Sequence, residues 1–253
     1  MSTLTILGIQ THLYWESIDE NLQHFTEKLE AIDTADIDLV VLPEMFTTGF
    51  SMQTGLVTPN LCTTIEAWML DKARSADLLL MGSTMYTTDG STYTNRLLVA
   101  YPDGRLLHYD KRYLFTPSGE GSHYESGTNR LICEYKGYRI LPLICYDLRF
   151  STWSDHAGEA DLIIYTASWP SARIAHWDIL LKARAIENLS YVMAVNRIGT
   201  DGNDLTYTGH SQMLSPVGVQ LDYGDERDTI ISATIDLEEV KNVRERLPYL
   251  GDK

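Results

Sequence analysis

Cysteine is scarce in this chain. Three residues in 253, Cys62, Cys133 and Cys145, are too few and odd in number for a disulfide framework. No two stand at the short spacing of a zinc knuckle or a redox dithiol. Positive charge is scarce too: 20 lysines and arginines against 35 aspartates and glutamates, a formal charge of -15. That balance argues against nucleic acid as a partner, because phosphate backbones need a basic surface. A small anionic substrate would need local arginines to override the same field. No apolar run reaches the length that crosses a bilayer. The start, MSTLTILGIQTHL, lacks the basic residues and long apolar stretch of a signal peptide. A soluble cytoplasmic protein without a membrane partner is expected.

What is present is an alternation of strand-like and helix-like segments. Strands are expected at Leu4–Ile9, Leu39–Leu42, Leu78–Met81, Leu162–Tyr165 and Val192–Val195, each apolar on consecutive residues. Such runs are buried on both faces, as in α/β proteins. Helices are expected after a Ser17/Glu20 capping box, after a second box at Thr63/Glu66, over Ile174–Leu189 and over Leu237–Arg246. Hairpins are expected at Leu97–Tyr109 around PDGR and at Leu131–Cys145 around Lys136-Gly137. Later strands are expected at Ser211–Leu214, Val217–Leu221 and Thr229–Ile235. No linker, composition break or repeat interrupts the chain, so residues 1–253 read as one α/β domain. Each half can supply a sheet, the two packed together with helices outside.

Cys145 ends one of these apolar runs, in LPLICYDLRF. A thiol at a strand end before a helix is held by the sheet, and free helix-start N–H groups favour its thiolate. A small core residue is the competing reading. Glu44, in VVLPEMF, also follows an apolar strand, which in α/β folds points a side chain toward the ligand crevice. Its neighbours Leu42 and Phe46 imply the partial burial that suits a general base. Lys111 follows a strand among aromatics in HYDKRYLF, and Glu120 sits in the Gly-rich turn TPSGEGSHY. Alone, each of these two reads as a surface residue. A Cys–His dyad is the rival constellation, with His108, His123, His156, His176 or His210 as partner, but none stands in a motif that favours it. Cys62 reads as a polar-loop residue and Cys133 as a structural strand residue. The seven histidines show no metal-ligand spacing, so neither metal nor cofactor is expected.

The motifs LPEMF, DKRYLF and LICYDLRF, in this order and at these separations, resemble those of the nitrilase superfamily of carbon–nitrogen hydrolases. The resemblance spans essentially the whole chain. It implies a four-layer α-β-β-α sandwich and a homodimer formed by extending a sheet. It also implies Cys145 as nucleophile, Glu44 as general base, Lys111 as catalytic lysine and Glu120 as that lysine's support. The stretch from Ala167 to Asn203, with its WP followed by an arginine and its ARAIEN and VNR segments, resembles the omega-amidases. Those enzymes remove the terminal amide of 2-oxoglutaramate and 2-oxosuccinamate, so a small-molecule amide partner is implied. Their substrates carry carboxylates, for which arginine offers a bidentate donor pair. Arg173 is the first choice for that contact and Arg149 the second. The Tyr146 amide is expected at the oxyanion, with Trp169, Phe50 and Tyr207 as walls and Glu187 as a bracing residue. Other nitrilase-superfamily reactions on N-carbamoyl compounds, nitriles or deaminated glutathione remain open, as does a catalytically silent binding member.

Overall fold

The first strand shows how the layers are built. In β1 (Thr3–Gln10) the side chains alternate between two faces. Leu4 and Ile6 join a core between two sheets, whereas Leu7 and Ile9 join a second core beneath helices. The same division recurs in β2 (Leu39–Val41), where Leu39 and Val41 face the inner core and Val40 the outer one. The computed structural model describes residues 3–156 and 158–252.

The first half continues through α1 (Ile18–Glu30), α2 (Pro59–Ser75), β3 (Leu79–Tyr86), β4 (Thr94–Ala100) and β5 (Leu106–Asp110). The second half runs through β6 (Cys133–Tyr135), β7 (Tyr138–Ile144), α3 (Ser151–Ser154), β8 (Leu162–Ala167), α4 (Ile174–Asn188) and β9 (Tyr191–Asn196). It closes with β10 (Ile198–Thr200), β11 (Thr206–Thr208), β12 (Gln212–Leu214), β13 (Gln220–Tyr223), β14 (Thr229–Asp236) and α5 (Leu237–Arg246).

Two six-stranded sheets result, ordered β14-β1-β2-β3-β4-β5 and β13-β12-β9-β8-β7-β6. Each has three parallel central strands, β1-β2-β3 and β7-β8-β9, flanked by antiparallel neighbours. Helices α1 and α2 cover the first sheet through Phe25, Leu29, Ile65 and Met69; α4 and α5 contribute Trp177, Leu181 and Val240 to the larger core. The architecture is therefore an α-β-β-α sandwich. Gly8 permits the close approach of its sheets: a Cβ there would lie 2.6 Å from Val195 Cγ2 and 2.7 Å from Met193 Cε. None of the helices among the described residues is long and apolar enough to cross a membrane.

Several local expectations are corrected. Ser17 stands at the start of α1, but its side chain makes no capping bond. Asn21 secures that entry instead, bonding the backbone of Tyr14 and Thr47. Helix α2 begins before Thr63/Glu66, with Thr58 as the cap accepting from Leu61 N–H and Pro59 in the first turn. Cys62 consequently lies buried inside that helix, not in a polar loop. Residues 215–219 form a tight turn, Ser215 N donating to Val219 O, so the strand expected at Val217 starts later.

Candidate active site

All three central strands of each sheet point their C-terminal ends to one edge, where α/β folds place their ligand crevice. Glu44 follows β2, Lys111 follows β5, and Cys145 and Ser168 follow β7 and β8. The first two ride on one sheet and the last two on the other. Strand β5 runs antiparallel to β4, itself antiparallel to β3, so Lys111 leaves the sheet at the same edge as Glu44.

Glu44, Lys111 and Glu120 are all 0% exposed. Burying three charges is tolerated only when they satisfy one another. Lys111 Nζ donates to Glu44 Oε1 at 2.8 Å and to Glu120 Oε1 and Oε2 at 3.1 and 3.0 Å. Asn95, at the start of β4, donates to the same two carboxylates at 2.9 and 3.3 Å. The second Glu44 oxygen accepts the Ser168 amide across the sheet interface at 2.8 Å. Glu120 also accepts the Phe115 amide, which folds its turn back over the lysine. Read alone, Glu120 and Lys111 suggested surface residues; the structure buries both. Burial pulls the Lys111 ammonium down, but Glu120, Glu44 and Cys145 more than reverse this, so it stays protonated.

Cys145 is the first residue of a five-residue 3-10 turn, Cys145–Arg149, followed only by the single-turn α3. The expected helix start is therefore short, and it does not set the thiol's state. Burial, and after it the negative charge of Glu44, pushes the Cys145 thiol well above its usual range, against Lys111 and the Ser168 amide. The resting group is a neutral thiol beside the Glu44 carboxylate. Its backbone has φ +42°, left-handed for a non-glycine residue, a strain of about 1–3 kcal/mol that surrounding structure must hold.

The residue that holds it is Asp147, which sequence reasoning missed although it stands two positions beyond the thiol. Its Oδ2 accepts the Ile144 amide at 3.0 Å and the Tyr109 hydroxyl at 2.7 Å. Its Oδ1 accepts the Tyr113 amide at 2.9 Å, tying the thiol turn to the segment after Lys111. Burial raises Asp147 to about 6, against the bonds from Ile144, Tyr113 and Tyr109. The folded pKa thus lies above the unfolded value of about 3.9, and the native state binds the extra proton between them. Stability from this group should decline as pH rises from about 4 to about 6. Melting temperatures of wild type and Asp147→Asn across that window check this: only wild type should show the decline. The same variant should lower kcat, because an amide cannot accept all three donors.

A cavity of about 500 Å³ opens onto this cluster. Cys145 lines it and retains 8% exposure, so the thiol is reachable. Among the described residues no histidine lines the cavity, which removes the Cys–His alternative. Cys62 and Cys133 are buried elsewhere, Cys133 against the Ile140 carbonyl. Both sequence-selected arginines are in the wall, with Tyr146, Trp169, Phe50 and Tyr207. Arg149 lies 4.8 Å from the Trp169 ring centroid and bonds His176; Arg173 lies 4.9 Å from the Phe115 ring centroid. Neither guanidinium has a carboxylate partner among the described residues. Glu187 is outside the wall and pairs with Arg184 at 3.0 Å. Unforeseen wall residues come from the loop after β1, Trp15 and Glu16, and from the β10–β11 hairpin, Asp201, Asn203 and Leu205.

A buried thiol beside a carboxylate and a fixed cation, on an α-β-β-α sandwich, defines a class. The carbon-nitrogen hydrolase family model matches residues 3–245, and the chain belongs to that family. It is 42% identical to an omega-amidase of Yersinia enterocolitica, covering 100% of this chain and 97% of that one. It is 30% identical to a 2-oxoglutaramate amidase of Bacillus subtilis, over 98% and 96% of the two chains. Among solved structures it resembles a carbon-nitrogen hydrolase superfamily protein of Xanthomonas campestris with an arsenic adduct in its active site. That likeness has a TM-score of 0.93 and 36% identity, covering 100% and 98% of the chains.

Proposed function

We propose that this protein is an omega-amidase, releasing ammonia from the terminal amide of small dicarboxylate-like substrates such as 2-oxoglutaramate and 2-oxosuccinamate. The observation that carries the reading is the pair of carboxylate-free arginines, Arg173 and Arg149, in the wall of the cavity that holds Cys145. In a chain of charge -15, guanidinium groups without a carboxylate partner in a crevice are placed to receive an anion. Full-length relatives named as omega-amidases support the same substrate class.

In the proposed reaction Glu44 takes the Cys145 proton and the thiolate attacks the amide carbon. The carbonyl oxygen becomes an anion, stabilised by the Lys111 ammonium and the Tyr146 amide, one such donor being worth about 3 kcal/mol. Glu44 passes its proton to the nitrogen, ammonia leaves, and a Cys145 thioester remains. Glu44 then deprotonates water, which adds to the thioester carbon. Collapse releases the carboxylic acid and returns the proton to Cys145. Glu120 keeps Lys111 charged and in place throughout. No step needs a metal or cofactor.

An ammonia-release panel tests this. We expect kcat/KM for 2-oxoglutaramate to exceed that for a neutral aliphatic amide of equal length by about 100-fold, the worth of roughly one buried charge-assisted contact. N-carbamoyl compounds and nitriles should be poorer still. Arg173→Ala should remove most of the preference by raising KM, with turnover of the neutral amide little changed. Equal rates for charged and neutral amides would overturn the substrate assignment while leaving the thiol chemistry standing.

We also propose that the protein is cytoplasmic, in keeping with three unpaired thiols, and a homodimer. Strand β13 is a free sheet edge, and Val219 and Leu221 are exposed there beside Ile179 and Ile186 of α4. A Cβ on Gly218 would lie 2.9 Å from Ile186, which places α4 against the turn that precedes β13. Ile179→Asp should shift the mass measured by light scattering from dimer to monomer. A monomeric wild type at micromolar concentration would refute the dimer.

A further inference from the structure

Outside the catalytic cavity, three chain segments bring metal-binding side chains together. His12 follows β1, His24 lies on α1, and Asp228 immediately precedes β14. One ligand atom from each lies within 4.8 Å of the others. None of the three lines the active-site cavity. No sequence spacing announces the group, because 11 residues separate the histidines and Asp228 arrives from the far end of the chain.

From this convergence we propose a binding site for a divalent transition cation of the zinc type, held by His12, His24 and the Oδ2 atom of Asp228. Two imidazoles and one carboxylate are donors that select such ions over magnesium or calcium, which prefer all-oxygen shells. A tetrahedral zinc shell places its donors about 3.3 Å apart, closer than here, so the side chains must draw inward. They have room to do so: the His12 and Asp228 side chains are 43% and 41% exposed. His12 Nδ1 and Asp228 Oδ2 stand 3.9 Å apart. The Thr11 hydroxyl bridges His24 and Asp228, lying 2.8 Å from His24 Nε2 and donating to Asp228 Oδ2 at 2.5 Å. Burial lowers both histidines from their usual pKa, so each offers a neutral nitrogen at pH 7. The opposing feature is Lys28, whose ammonium holds Asp228 Oδ1 at 2.6 Å. It leaves Oδ2 to the Thr11 hydroxyl, whose bond the metal must displace, and it repels a second cation.

That opposition makes the site testable in both directions. Chelator-treated Cys145→Ala protein, which lacks the active-site thiol as a rival ligand, is titrated calorimetrically with zinc chloride at pH 7.5. One equivalent should bind. His24→Ala and His12→Ala, added singly, should each weaken binding by more than about tenfold, as expected when one of three protein donors is lost. Lys28→Ala should tighten it by about three- to tenfold, since the nearest competing charge is gone. A gain in affinity cannot arise from misfolding. Magnesium chloride should give no matching signal. Unchanged affinity in either histidine variant, or no tightening in Lys28→Ala, would overturn the site.

Discussion

Cys145→Ala is expected to lower ammonia release by about ten-thousand-fold or more, as removal of a covalent nucleophile does elsewhere. The expectation rests on position as much as on chemistry. This thiol alone among the cysteines lines the cavity, and the buried Glu44 carboxylate lines it too. The protein should remain folded, because alanine removes one atom from a site that already holds a small side chain. Its backbone at φ +42° adds a second expectation. Cys145→Gly tolerates that conformation without a Cβ penalty, so it should be about 1 kcal/mol more stable than Cys145→Ala. For a chain of this size that corresponds to about 2–4 °C in melting temperature. Ammonia release by Cys145→Ala at the wild-type rate would sink the thiol mechanism. Equal melting temperatures for the two variants would show that the turn stores no strain.

Lys111→Met should be the most damaging change to stability among the site residues. It leaves the buried Glu44 and Glu120 facing each other without a cation, and removing one partner of a buried pair costs about 3–5 kcal/mol. Turnover should fall by roughly a thousandfold with the loss of the proposed oxyanion donor. The pH signature separates charge from packing. In wild type, the glutamates and Cys145 outweigh burial and hold Lys111 above its unfolded value of about 10.4. Its contribution is therefore complete below that value and is lost only as pH rises through the folded one. Between pH 5 and 8 the lysine adds no slope. In the variant, protonating one of two crowded carboxylates removes a buried charge, so stability should recover toward pH 5. The gap in melting temperature should narrow on acidification; a gap independent of pH would mean that the lysine acts only by filling space.

The core strands were legible because β2, β3, β8 and β9 are apolar on consecutive residues, a pattern that only two-sided burial explains. The β10–β11 hairpin was not, since its short strands, IGT and TYT, stand apart from both large sheets and carry no core periodicity. The start of α2 was misplaced because Thr63 and Glu66 mimic a cap. The Thr63 hydroxyl in fact bonds back to the Pro59 carbonyl within the helix. At the site, Glu44 and Cys145 were readable as strand-end candidates, whereas Lys111, which alone reads as a surface cation, was legible only through the three-motif resemblance. Ser168 was not, because it contributes a backbone N–H that any residue but proline would supply. Asn95 gave no signal either: its partners come from positions 51 and 25 residues away. Asp147 was visible in CYDLRF, but nothing in its spacing says that the carboxylate turns back to three donors.

The thiol and its proposed proton acceptor, Glu44, ride on opposite sheets, which are clasped here by three hydrogen bonds: Ser168 N–H to the Glu44 carboxylate, Ser168 hydroxyl to the Glu44 carbonyl, and Glu44 N–H to the Ala167 carbonyl. Reaction distance is thereby a measure of how thick the inner layer is. At Gly8 the sheets lie too close for a Cβ to fit without a shift. A methyl group there would act as a shim, and the enzyme would register it as lost turnover even though Gly8 touches no substrate.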